Sequence, residues 1–526
     1  MMADIVDVLV IGAGPAGGAI TTRLTDLGAK VLCLEQGDWF SPVDYPSTKP
    51  NWEPLFKRGP FSPNPNLRNR PEDYPVTFGG KMHSVMMFSA VGGTLQEGSY
   101  NAIFHPSDFR ARTLDGVADD WPVSFEDLLP YYEMGLRARG VSGVAGNPML
   151  PPHGPYPTPQ IPLGMTGETM ARGFDTLGWY WWPMYNAIPS VDYDGRPGCM
   201  LHGKCHAGCF FGVKSTADVV FWRKALKKGA TLQTWAHVRE VTLDSQGRAN
   251  GAIYYDRKGN LHHQPARVVV ISCNAVGTPR LLLNSKSKLF PQGLANASGL
   301  VGKNFMSQVW TDFLGTFEQD MHGTTQTPHI ITSQQFYETD PKRGFARGFS
   351  LLVHDADGPV GQSDGVPWGA AHHRSMRKTF QHTVAMGSIG EDLPEERNRV
   401  ELDPDVKDHF GMPAARVIYD YGENSLKMQK FAAEMGRQAL EAAGGTDIQY
   451  ISYLPNGSHL MGTARMGNDP KRSVVNAWNQ AHDVRNLFIV DGSSFVTSSS
   501  SNPTATIIAL ALRAADGIWK RRQEWT

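Results

Sequence analysis

The chain has 526 residues with a formal charge of −1 at pH 7, 41% hydrophobic residues and 55 glycines. Near-neutral charge excludes the electrostatic footprint of a nucleic-acid or acidic-membrane binder, and no apolar run reaches bilayer-spanning length, so direct membrane insertion is not expected. The length is too great for one hydrophobic core and fits two interleaved domains of an α/β protein rich in turns.

In chain order, Asp7-Val8-Leu9-Val10-Ile11 is an apolar run that predicts a buried parallel strand. It leads into Gly12-Ala13-Gly14-Pro15-Ala16-Gly17, and residues 18–27 then have helical spacing. Gly12 permits a tight turn, Gly14 lets the backbone approach a pyrophosphate, and Gly17 allows close helix–strand packing. The helix N-terminus offers N–H groups to phosphate charge. Residues 30–34 predict a second strand ending at Glu35, placed to accept hydrogen bonds from a ribose. This is a dinucleotide-binding signature that does not by itself separate NAD from FAD. So early a strand leaves no room for a signal peptide and predicts a cytoplasmic protein.

Residues 40–75, rich in Pro and Asn, read as a long irregular excursion that returns to the cofactor at Gly92-Gly93-Thr94. Helical stretches begin at Pro106-Ser107-Asp108-Phe109 and Trp121-Pro122-Val123-Ser124. Residues 124–139 are the clearer one, with Ser124 as N-cap and Asp127 at the capping-box position. Residues 144–165 form a Pro/Gly loop, and the aromatic run Trp179-Tyr180-Trp181-Trp182 reads as core or interface before it reads as a sugar platform. A helix is expected over 217–228, strands over 233–243, 249–255 and 268–272, and an irregular polar excursion or lid over 318–380. His372, His373 and His382 match no motif and are expected in loops or at the surface. Residues 400–402 and 415–421 alternate like antiparallel strands, and 424–443 form an amphipathic helix ended by Gly444-Gly445.

Two C-terminal motifs carry the chemistry. One is Ser458-His459-Leu460-Met461-Gly462-Thr463. The other runs from Asp491-Gly492-Ser493-Ser494 to Ser501-Asn502-Pro503-Thr504, where Pro503 opens an apolar helix over 504–519. Oxidation of a CH–OH group on such a dinucleotide cofactor needs a base for the hydroxyl proton while the carbon gives up hydride. A neutral His is the natural base, and a second group should hold the same oxygen.

Together with Cys273-Asn274-Ala275-Val276-Gly277-Thr278-Pro279-Arg280, these motifs resemble the glucose–methanol–choline family of FAD oxidoreductases over residues 4–518. His-x-Met-Gly with Asn-Pro-Thr is similar to pyranose oxidases and to large subunits of bacterial sugar or glycoside dehydrogenases. The resemblance implies a Rossmann-type FAD-binding domain (1–110, 200–315 and 455–526) interleaved with an antiparallel-sheet substrate-binding domain (111–199 and 316–454). It implies FAD contacts from Gly12, Gly14, Gly17, Glu35, Gly92, Gly93, Thr94, Ala275, Asp491, Gly492, Asn502, Pro503 and Thr504. It makes His459 the base and Asn502 the second group, with a sugar or glycoside oxidised to a ketone or lactone. Oxygen, a quinone or a cytochrome subunit would take the electrons. Some relatives of this type are exported to the periplasm with a signal-bearing partner, which is the alternative location. A lyase that holds FAD without redox chemistry and a non-catalytic flavin subunit are the rival functions. In some sugar oxidases a His shortly after the Gly-Gly pair bonds the flavin; Glu97 stands there in this chain, which implies dissociable FAD.

Five cysteines, an odd number, do not suggest a disulfide framework. Cys33 and Cys273 fall in expected strands and read as buried small hydrophobes. The spacing of Cys199, Cys205 and Cys209 is similar to sugar and gluconate dehydrogenases, some of which hold a three-iron cluster that feeds a cytochrome. Phe210 replaces the Pro expected after the last Cys, and the favoured reading is a structural loop of thiols without metal. An iron–sulfur cluster comes second, and a zinc site completed by His202 third.

Overall fold

The computed structural model describes residues 4–68, 70, 73–93, 99–451, 455 and 457–525. Its architecture is α/β, built on three sheets. β1 (Val6–Ile11) is buried along nearly its whole length, and the turn after it opens α1 (Pro15–Asp26), which leads to β2 (Val31–Leu34). β1 pairs in parallel with β2 and with the end of Leu261–Ile271, and Leu487–Ile489 adds in parallel beyond. This is the Rossmann-type arrangement the glycine turn predicts. The first half of Leu261–Ile271 instead continues an antiparallel meander with Ala249–Tyr255 and His237–Leu243.

The strand expected over 233–243 is two strands. Thr231–Gln233 extends the parallel sheet and His237–Leu243 starts the meander. Trp235 lies between them at φ +57°, a left-handed conformation that turns the chain. The helix expected over 217–228 begins with a π turn, Asp218–Trp222, before the α-helical Arg223–Lys227. Trp222 Nε1 donates to the Ala13 carbonyl at 2.9 Å, so this turn braces the glycine loop.

A six-stranded antiparallel sheet carries the other half, in the order Thr446–Ile451, Val309–Thr316, Thr383–Gly390, Phe349–His354, His329–Phe336, Trp182–Pro183. Residues 318–380 therefore are not an irregular excursion. They contain two strands of this sheet and the exposed helix Ala370–Thr379, which carries His372 and His373. Buried Thr332, Ser333, Gln334 and Ser350 break the apolar alternation that would mark those strands. Their polar groups are satisfied internally: Thr332 Oγ1 donates to the Leu351 carbonyl and Ser350 Oγ to the Ser500 carbonyl.

The amphipathic helix Glu423–Ala442 covers one face of this sheet. A third sheet joins the hairpin Arg399–Lys407 and Pro413–Tyr419 to a parallel strand, Val76–Gly80, that the sequence pattern does not mark. The capping box at Ser124 is present, with Ser124 Oγ accepting from Asp127 N at 3.2 Å, and Phe125–Arg139 packs on the C-terminal helix Thr504–Lys520. No helix among the described residues is long and apolar enough to cross a membrane.

Candidate active site

A cleft runs from the end of β1 to the start of the C-terminal helix, enclosing about 1300 Å³ with its open mouth included. Gly12, Gly14, Glu35, Gly93, His459, Asp491, Gly492, Pro503 and Thr504 all line it. Gly17, Gly92, Ala275 and Asn502, also expected, adjoin the lining residues. A Cβ on Gly17 would stand 1.9 Å from the Gly12 carbonyl oxygen, so this position closes the turn. Gly92 donates its N–H to the Ala13 carbonyl at 3.0 Å, and the Ala275 carbonyl accepts from Thr463 Oγ1 at 2.9 Å. Thr94 and Glu97 lie outside the described residues.

At the cleft's first end the backbone makes the site. A Cβ on Gly14 would meet nothing within 4 Å, and no side chain caps the N-terminus of α1, so donors and space face the cleft together. Glu35 braces this turn: its Oε2 accepts from Ala13 N at 2.7 Å and its Oε1 from Gly37 N at 2.9 Å. Burial raises its pKa, against those hydrogen bonds. Each oxygen keeps a second lone pair, which suits a ribose hydroxyl. Asp491 is held in the same way by Thr278 Oγ1 at 2.6 Å and Ser493 N at 2.8 Å. These donor sets and the empty space beside Gly14 fit an adenine dinucleotide.

At the other end, side chains converge. His459 is half-buried, with its ring edge in the cleft wall. Its Nδ1 lies 2.5 Å from Gln308 Oε1, and its Nε2 lies 3.3 Å from Asn502 Nδ2. Gln308 has one allowed amide orientation, because its Nε2 faces the carbonyls of Ser498, Ser499 and Ser501 at 3.0, 2.6 and 3.0 Å. Its Oε1 can only accept, so Nδ1 of His459 carries the proton and Nε2 is left as the acceptor. Burial lowers the pKa of His459 to about 4, which keeps the ring neutral at ordinary pH. Asn502 then donates to Nε2, while its buried Oδ1 has no partner among the described residues. The Trp310 ring lies 5.6 Å from that of His459, and its buried Nε1 also lacks a partner among the described residues.

Gln308 and Trp310 are the site residues that sequence reasoning missed. Gln308 is fully buried at φ +60°, a conformation costing on the order of 1 kcal/mol for a non-glycine residue. Neither residue lies in a motif, and no spacing links them to His459.

Cys199, Cys205 and Cys209 line a second, small cavity with His202, Phe210, Phe211 and Lys214. Burial pushes the Cys199 and Cys205 thiols up in pKa, disfavouring thiolates there. Among the described residues no group of three His, Cys, Asp or Glu side chains is arranged to hold a metal ion. Cys33 is buried in β2 as expected, but Cys273 is not a strand residue. The strand stops at Ile271, Ser272 Oγ bonds back to the Ile11 and Gly12 carbonyls, and Cys273 caps the helix Asn274–Asn284 at the cleft wall.

Family models described as GMC oxidoreductase match residues 172–310 and 394–511. A 2-methyl-1,2-propanediol dehydrogenase from Mycolicibacterium austroafricanum is 40% identical, over 99% of this chain and 96% of its own. A fructose dehydrogenase large subunit from Gluconobacter japonicus is 29% identical over 97% of each chain. Among solved structures, formate oxidase of Aspergillus oryzae superposes with a TM-score of 0.68 over all of both chains at 14% identity, a likeness of fold.

Proposed function

The chain belongs to the GMC oxidoreductase family, and from that premise we propose that it oxidises a CH–OH group of a sugar or glycoside, giving a ketone or lactone, on non-covalently bound FAD. It is an oxidoreductase acting on CH–OH donors. In this reading the segments 1–110, 200–315 and 455–526 hold the cofactor and 111–199 and 316–454 hold the substrate, with the strand Val309–Thr316 joining the substrate-side sheet.

The single observation that carries the reading is the lock on His459 by Gln308. With its proton fixed on Nδ1, His459 has its one lone pair at Nε2; a substrate hydroxyl would displace Asn502 Nδ2 from it and give up its proton there. Asn502 Nδ2, 3.3 Å from that Nε2, would then donate to the same oxygen and set the orientation of the C–H bond. As the ring becomes cationic, Gln308 Oε1 remains a correctly oriented acceptor for Nδ1–H, so no reorganisation is required. Bound FAD would supply the hydride acceptor. The glycine turn and the α1 N-terminus would hold its pyrophosphate and Glu35 its ribose. Pro503 and Thr504, at the start of the C-terminal helix, would stand at the pyrimidine side.

Acid should release intact FAD from the purified protein. Anaerobic stopped-flow mixing with candidate donors tests the base: His459→Ala should lower flavin reduction by about a hundredfold or more while FAD stays bound. Near-normal reduction by that variant would remove His459 from the mechanism. Turnover without any acceptor would instead indicate a lyase. Oxygen, a quinone and a cytochrome-bearing partner are the acceptors to compare; the relative named as a large subunit supports testing the third.

A second reading draws on the relative named for 2-methyl-1,2-propanediol. That diol carries oxidisable hydrogen only on its primary alcohol carbon. A substrate of this kind would be a small diol and the product an aldehyde.

A further inference from the structure

We propose that Asp312 and His354 form a subsite for a substrate hydroxyl remote from the reacting carbon, which fits a sugar-sized polyol over a small diol. The inference rests on the alcohol-oxidation reading above and specifies its substrate class.

The six-stranded sheet has two unlike faces. One bears Val309, Phe313, Leu351, Val353, Val384 and Met386, all buried in the core under the helix Glu423–Ala442. Side chains alternate along a strand, so the opposite face carries Trp310, Asp312 and Ile389. Register confirms the set: Trp310 pairs with Ile389, Asp312 with Gly387, Gly387 with Leu352, and Ala385 with His354. Trp310 stands beside His459 on this face. Asp312 is the next same-face residue, about 7 Å along the strand. A donor that meets both the His459 ring beside Trp310 and Asp312, one same-face position further along, needs more length than a vicinal diol.

The chemistry between Asp312 and His354 suits a hydroxyl. His354 Nε2 stands 3.9 Å from Asp312 Oδ1, too far for a hydrogen bond, and Oδ1 has no hydrogen-bond partner among the described residues. His354 Nδ1 is anchored at 2.9 Å from the Asp355 carbonyl, which fixes the ring with Nε2 toward Asp312. Burial opposes a charged ring here, but the Asp312 carboxylate, together with Asp355 and its carbonyl, outweighs it and raises the His354 pKa to about 9. A carboxylate acceptor beside an imidazolium donor is complementary to an O–H group, which both donates and accepts.

Gly387 keeps the gap open. A Cβ there would lie 2.8 Å from Asp312 Oδ1 and 3.6 Å from His354 Nε2. The Asp312 and His354 side chains retain 22% and 25% of their surface, whereas those of the fully bonded pair Arg347 and Asp108 retain 0%; Asp312 Oδ1 itself is buried, an acceptor without a partner among the described residues at the floor of the gap. His329, the cross-strand partner of His354, is kept neutral by burial.

The test uses the holoenzyme with a dye acceptor and three donors: D-fructose, methyl β-D-glucopyranoside and 2-methyl-1,2-propanediol. Asp312→Asn should raise KM for whichever sugar donor the wild type oxidises by about tenfold or more, with kcat changed less than about threefold and the diol's KM unchanged. Gly387→Ala, which keeps both polar groups but fills the gap and pushes Asp312 Oδ1 aside, should reproduce that selectivity. Flavin absorbance per chain and melting temperature establish that each variant is folded. Equal changes for sugar and diol, no change for either, or a wild type that oxidises only the diol would overturn the subsite. A wild type that oxidises none of the three, nor any other alcohol, would overturn the alcohol-oxidation reading itself.

Discussion

The two ends of the cleft are made of different materials. At the β1–α1 end, recognition is built from consecutive backbone: Gly12, Gly14 and Gly17 act by lacking side chains, and Glu35 braces Ala13 and Gly37 through their N–H groups. At the His459 end it is built from side chains drawn from distant segments, with Gln308, His459, Asn502 and the carbonyls of Ser498, Ser499 and Ser501 meeting at one ring. A backbone site fails when something is added. A side-chain site fails when something is removed or turned, and it fails by degrees.

The sharpest separation of the two should come from Gly17→Ala. Its new Cβ would lie 1.9 Å from the Gly12 carbonyl oxygen and 2.8 Å from Ser272 Oγ. Backbone on one side cannot yield, so α1 must move off the turn. The expected outcome is colourless protein, with flavin occupancy by absorbance down about tenfold or more. Full occupancy would show that the turn is not the cofactor's seat. His459→Ala should give the opposite phenotype, full colour without reduction.

Gln308→Leu probes the tautomer lock alone. It removes the acceptor at Nδ1 and leaves the carbonyls of Ser498, Ser499 and Ser501 without that donor, while the ring itself stays. Flavin reduction should fall about tenfold to a hundredfold, and the acid limb of the pH profile should move down because the cationic ring loses its partner. Gln308→Glu should restore part of the rate and move the pH profile upward, since a carboxylate favours imidazolium. A purely structural role would lower the melting temperature and leave the pH profile in place.

This contrast explains what the sequence reveals. The β1–α1–β2 unit is contiguous, and its strand period, glycine spacing and terminal acid lie within residues 6–35. His459 and Asn502 are legible because each sits in a short motif. Gln308 is one polar residue before an apolar strand, and only the fold brings it to residue 459. The run Ser498 to Ser501 has the look of a polar surface segment, yet all four residues are buried. Their hydroxyls reach Asp392, Asp108, Gly348 and Tyr337, so composition misleads where polar groups are satisfied internally. The strands within 318–380 were hidden for the same reason.

The two ends of the substrate region should also answer pH in opposite directions. His459 is pushed down to about 4 by burial, and His237 and His329 are lowered by the same cause. The folded chain therefore binds fewer protons at these sites than the unfolded chain, whose histidines titrate near ~6.5. Stability is full above that value and falls as the pH drops through the window down to about 4. His354, raised to about 9, works the other way: its contribution is full below ~6.5 and is lost as the pH rises through the folded value. Urea midpoints should be highest between these limits. In His354→Gln the alkaline decline should be shallower with the acid decline unchanged, and an unchanged alkaline limb would remove His354 from the account.

The smallest effect is expected at Cys199, Cys205 and Cys209, where nothing in the cleft depends on the side chains. They line their own cavity, and burial holds the Cys199 and Cys205 thiols protonated. Ligation of iron or zinc requires thiolates, so binding would have to overcome that shift at each buried ligand. We expect no stoichiometric iron or zinc in protein purified under nitrogen, and Cys209→Ser should leave the flavin spectrum and the rate of its reduction by substrate unchanged. Elemental analysis decides the point. About three irons per chain with a paramagnetic signal in the oxidised state would make this loop the exit for electrons and a partner subunit their destination. Cys209→Ser would then still reduce its flavin at the normal rate but fail to pass electrons on, and the contrast between the two ends of the cleft would need a third member.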